Sequence, residues 1–226
     1  MYRELFDENH SLVSFKTLTP KSEQFVFSGE FEGNILCEKC DNELIAGLEN
    51  YASKVLYGGN IPAKVQNFIK PDGLEFSQVE GIDYSKFKLF LLSILWRASI
   101  SSRPFFSNVS LGPYEEKIRQ MILNNNPRLP GDFPCVMISY RKRNFPNKLI
   151  MEPKRTRINE KNGYHFLIGG ISYIFKIIED DKTDWLLESV INEKGEFKVL
   201  HATEDQAKKS INKILGVEVP ENAKFD

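Results

Sequence analysis

The period of the hydrophobic pattern changes once along this chain, near Phe133, and that change limits the fold more than any other feature. Before it, apolar residues recur every three or four positions. Leu44, Ile45, Leu48, Tyr51, Ala52, Val55 and Leu56 trace one stripe of a helix, with Asp41 as its expected cap and Gly58-Gly59 as its end. Residues 87–100 are apolar on every side, as expected of a helix buried at the centre of a core. "LGPYEEKIRQMIL" supplies a third helix, with Pro113 in its first turn and Tyr114, Ile118, Met121 and Ile122 facing inward. After Phe133 the pattern alternates. It predicts strands at 133–142, 148–158, 164–168, 171–178, 185–191 and 197–202, joined at Asn162-Gly163, Gly169-Gly170 and Lys194-Gly195. A closing helix over 204–215 follows Thr203.

The expected class is therefore α+β: a helical N-terminal half with a buried central helix, then an antiparallel β-meander and a closing helix. Two short strands are expected in "SLVSFKTL" and "EQFVFSGEF", and residues 60–82, with their "IPAK" and "KPDG" turns, read as irregular. A single domain over 1–226 is the expectation. Should the chain divide, the breaker-rich "NNNPRLPGD" would separate a helical part, 1–125, from a sheet part, 126–226.

Seventeen phenylalanines and eight tyrosines are enough to build a core, which excludes a disordered chain. The first residues show no basic start followed by an apolar run, and the most apolar stretch, 89–100, is too short to span a bilayer and carries Arg97. Three cysteines do not make a disulfide framework. A cytoplasmic protein without a membrane partner is expected. The net charge of −1 hides a division: residues 1–84 sum to −7, residues 85–161 to +10 and the remainder to −4. A positive middle suits either an anionic partner or the chain's own acidic ends.

Cys37 and Cys40 stand three apart in "ILCEKCDNEL", directly ahead of a helix. Such a pair can grip a metal ion such as zinc, form a redox couple, or sit inert at a helix start. A closed zinc site needs four ligands, and Cys135, His10, His165 and His201 are the other cysteine and histidines of the chain. The order of "ILCEKCDNEL" with "LENYASKVLYGG", then "FKLFLLSILWRASISS", then "LGPYEEKIRQMI", resembles bacterial HNH-endonuclease-like proteins of the treble-clef zinc type, over about half the chain. The resemblance implies Cys37 and Cys40 as zinc ligands, association with nucleic acid and a role in defence against mobile DNA. This sequence departs from that pattern by lacking an earlier Cys-x-x-Cys and a Ser-His-Ile-Ile-Pro segment; His10 has neither the flanking cysteines nor the isoleucines and proline. The zinc knuckle is thus expected to be partial, without the catalytic histidine.

Two further patterns suggest function. Residues 141–161 hold eight basic side chains against two acidic. There Arg141, Lys142, Arg143, Lys154, Arg155 and Arg157 suit phosphate oxygens, and Phe145 suits stacking on a base. Asp132, then Glu152 and Lys154, follow the order of the PD-(D/E)xK nucleases, in which two carboxylates hold magnesium and a lysine steadies the attacking water. Pro153 places that segment on an edge strand. The functional expectation is a nucleic-acid-associated module with a partial zinc knuckle; the alternatives are a metal-dependent nuclease and a non-catalytic subunit that binds another protein. Arg97, in an apolar helix, requires a buried acid or a bound anion.

Overall fold

The computed structural model describes residues 12–15, 23–26, 32, 35–141 and 149–215. Its helices are α1 (Ala46–Tyr57), α2 (Tyr84–Ile100), α3 (Tyr114–Leu123), the short α4 (Asp184–Leu187) and α5 (Glu204–Leu215). Its strands are β1 (Leu12–Phe15), β2 (Glu23–Val26), β3 (Lys64–Ile69), β4 (Glu75–Glu80), β5 (Cys135–Ser139), β6 (Leu149–Ile158), β7 (Lys161–Ile168), β8 (Ile171–Lys176) and β9 (Phe197–His201). All nine strands form one sheet in the order β2-β1-β6-β7-β8-β5-β9-β4-β3. No helix among the described residues is long and apolar enough to cross a membrane.

The mixed helix-and-sheet class holds, with three corrections. First, residues 60–82 are not irregular, because β3 and β4 form a hairpin there. Their sequences, "KVQNFI" and "EFSQVE", alternate too weakly to be read without the neighbour that β4 gains in β9. The N-terminal half thus supplies both margins of the sheet as well as helices. Second, the meander is limited to β6-β7-β8. β5 joins beyond β8, and both β5–β9 and β1–β6 pair in parallel. Third, residues 185–191 contain a helical turn rather than a strand. Leu186 and Val190, four apart, fit either period, and here they pack on Val136 of β5.

β5 shows how the layers are built. Cys135 and Met137 belong to the main core with α1, α2 and α3, whereas Val136 faces α4 on the other side. Both sheet faces are covered at that strand. α2 is buried as its pattern predicts, with Asp83 capping it through the Lys86 N–H at 3.0 Å and Phe87 stacked on Phe197 of β9 at 5.0 Å. Arg97 meets a carboxylate of the chain itself, Glu49 on α1, at 2.7 Å.

The Gly169-Gly170 turn forms as expected, with φ of 60° and 73°. The β6–β7 turn falls at Asn159-Glu160 instead, with φ of 46° and 64°. Gly163 lies within β7, where a Cβ would meet the Phe175 carbonyl oxygen at 2.6 Å. Glycine is required there for close strand approach, and the turn lies three residues earlier.

Candidate functional site

Helical backbone begins directly after Cys37, passes through a wider π-type segment, Cys40–Ile45, and continues as α1. In that segment the Ala46 N–H reaches the Asp41 carbonyl five residues back. Cys37 takes the capping place expected of Asp41. Its Sγ accepts the Cys40 N–H at 3.3 Å, and its carbonyl accepts the Asp41 N–H at 3.0 Å. A thiol sulfur is a poor acceptor and a thiolate a good one, so this cap favours negative charge on sulfur.

The two thiols interact with each other. Hydrogen bonds from the Cys40 thiol, then from the Cys40 amide, hold the Cys37 thiol below its ordinary pKa. The same thiol–thiol bond, then burial, pushes Cys40 above its own. Cys37 is exposed, Cys40 half-buried, and neither is in a disulfide. Beside them lies a cavity of about 250 Å³ whose wall includes Leu36, Leu44, Trp96 of α2 and Arg119 of α3. Trp96 is 8% exposed, and its indole N–H has no hydrogen-bond partner among the described residues. The charge on Arg119 favours the Cys40 thiolate.

These features fit half of a zinc site: two neighbouring sulfurs at a helix start, of which Cys37 is shifted toward the thiolate form that zinc takes. Among the described residues no set of three or more His, Cys, Asp or Glu side chains is placed to hold a metal ion. Cys135 is buried in the core, where burial pushes its thiol up. His165 hydrogen-bonds Ser172 at 2.7 Å, and His201 hydrogen-bonds Ser77 at 2.7 Å. His10 lies outside the described residues.

The nuclease triad is not assembled. Asp132 leads into β5, while Glu152 and Lys154 lie on β6, with β7 and β8 between. Three strand spacings are about 14 Å, too far for two carboxylates to share one magnesium ion. Asp132 is a loop tie: it accepts the Asp180 N–H at 3.0 Å and the Leu129 N–H at 3.2 Å, and it pairs with Arg128 at 3.3 Å. Glu152 is buried and accepts from the Asn108 amide at 2.8 Å.

The basic segment divides into inward and outward members. Arg141 is a strut: it donates to the Gly169 carbonyl at 2.9 Å and the Leu56 carbonyl at 2.7 Å, and it stacks over Tyr57 at 4.5 Å. Two of its donors, Nε and Nη1, thus serve the β7–β8 turn and α1, while Nη2 has no hydrogen-bond partner among the described residues. Lys142, Arg143 and Phe145 lie outside the described residues. Lys154 is half-buried, while Arg155 and Arg157 are exposed, two apart and so on one face of β6.

The buried amine of Lys88 and the Ser77–His201 and Ser172–His165 pairs are not among the site residues expected from sequence. A lysine inside "FKLFLL" was a visible signal. The serine–histidine pairs join strands whose register spacing does not reveal. No family, curated protein or solved structure matches the chain.

Proposed function

We propose that this chain is a nucleic-acid-associated module in which Cys37 and Cys40 supply half of a zinc site. The observation that carries the reading is the convergence of two thiols at an exposed helix start, with Cys37 Sγ accepting the Cys40 amide. When bound, zinc would supply a structural clamp on the segment ahead of α1. The chain's own part is to orient two sulfurs and to stabilise negative charge on Cys37 through the first helical turn. Arg155 and Arg157 support the nucleic-acid half of the reading, since both are exposed on one face of the β6–β7 hairpin.

Elemental analysis of the purified chain tests the zinc half. Zinc at one equivalent per chain, or per two chains, that is lost in Cys37→Ser supports it; metal-free protein of unchanged thermal stability rejects it. Binding of duplex DNA and of single-stranded RNA at rising salt tests the other half. Replacing Arg155 and Arg157 with alanine should flatten the log–log salt slope by up to about two units. Wild-type protein that binds neither probe at low salt would leave the protein-interaction class in its place.

A further inference from the structure

β3 closes one margin of the sheet, and its outer edge pairs with no strand among the described residues. All six of its residues are exposed, including Val65 at 60% and Ile69 at 74%. With Phe68 and Leu74, this hairpin holds four of the six exposed large apolar side chains of the described residues. An edge strand offers unpaired N–H and C=O groups to any extended chain, and folded proteins usually blunt such edges.

The side chains narrow what this edge accepts. Val65, Asn67 and Ile69 share one face; Lys64, Gln66 and Phe68 share the other, with Phe68 held in a stack on Phe76 at 5.2 Å. Lys64 and Lys70 bracket the strand. Glu80 lies opposite Lys64 and Glu75 opposite Ile69, both on the inner neighbour β4. A second copy pairing antiparallel in the same sheet must set residues of one face against each other. The register that matches Val65 with Ile69 then sets Lys64 against Lys70 at both ends, two like-charge pairs. The register centred on Gln66 sets Val65 against Asn67 and leaves the apolar residues unmatched. Self-pairing is poor in both.

We infer that the outer edge of β3 takes an extended strand from a partner protein, with apolar side chains facing Val65 and Ile69 and an acidic residue at each end. Backbone hydrogen bonds would supply affinity, and the two lysines would choose the charge. The probe is a labelled synthetic heptapeptide of alternating valine and threonine with a glutamate at each end, compared by fluorescence anisotropy with a lysine-ended counterpart. The glutamate-ended peptide should bind about tenfold tighter or more at low salt and slow amide exchange across residues 64–69. Lys64→Glu with Lys70→Glu should invert the preference, and Val65→Asn with Ile69→Asn should weaken both peptides. These positions are exposed, so the fold should hold; Lys64→Glu faces Glu80 and should lower the thermal midpoint slightly, so an unchanged far-UV circular dichroism spectrum serves as the fold control. Absence of binding, equal binding of the two peptides, or a double charge variant with unchanged preference overturns the proposal. So does a wild-type dimer that Val65→Asn dissociates, because β3 would then serve a second copy.

Discussion

At Lys88 an amine is carried into the core on α2, leaving 4% of the residue exposed. It donates to the Tyr84 hydroxyl at 3.2 Å and to the Leu129 carbonyl, which ties α2 to the loop before β5. Burial pulls its pKa from 10.5 down to about 7, against the opposing pull of Asp132. The sign for stability follows. Between pH 7 and 10.5 the unfolded chain holds a proton that the folded chain has lost, so stability rises with pH across that window. Below about 7 both states are protonated and the penalty is constant. Urea unfolding at pH 7, 8.5 and 10 should show wild type gaining on Lys88→Met by up to about 1.4 kcal/mol per pH unit. Parallel profiles would count against this account. Arg141 makes the reverse case, a charge retained for its hydrogen bonds. Arg141→Ala leaves the Gly169 and Leu56 carbonyls without this donor and should cost about 1–3 kcal/mol. A loss confined to nucleic-acid binding would return it to the phosphate role.

Helices and strands differed in how far they could be read from their own residues. α2 was legible because an apolar surround needs no partner to be recognised, and it lies where that pattern puts it. Leu95 is fully buried there, so Leu95→Ala should cost about 2–5 kcal/mol in chemical denaturation. A cost below about 1 kcal/mol would mean that the helix tolerates a void at its centre. β3 and β4 were illegible because their identity as strands rests on pairing with β9, which lies far along the chain. The same limit applied to the candidate site. The Cys37–Cys40 spacing was visible, but its capping geometry was not, nor was the cavity wall that α2 and α3 supply through Trp96 and Arg119. Asp132 and Glu152 misled for a related reason: adjacency in sequence order is not adjacency in a sheet whose strands are reordered.

At the scale of the molecule, part of the charge division is settled internally. Arg97 of the positive middle pairs with Glu49 of the acidic first segment, and Lys117 and Arg128 pair with Glu179 of the acidic last one. The same interleaving runs through the sheet. β4 pairs with β9, β1 with β6, and α2 from the first half fills the core against strands of the second. Cutting at residue 125 would therefore expose the apolar face of the sheet in one piece and strip α2 of its cover in the other. Neither 1–125 nor 126–226 expressed alone should show a cooperative thermal transition, because each would keep its chain entropy cost while losing much of its apolar burial. The two pieces mixed should recover one transition that is steeper than either alone. Circular dichroism and amide exchange would read both outcomes. Independent cooperative unfolding of 126–226 would place the boundary where the breakers in "NNNPRLPGD" suggested it and reduce the α2–sheet contact to a docking between separate units.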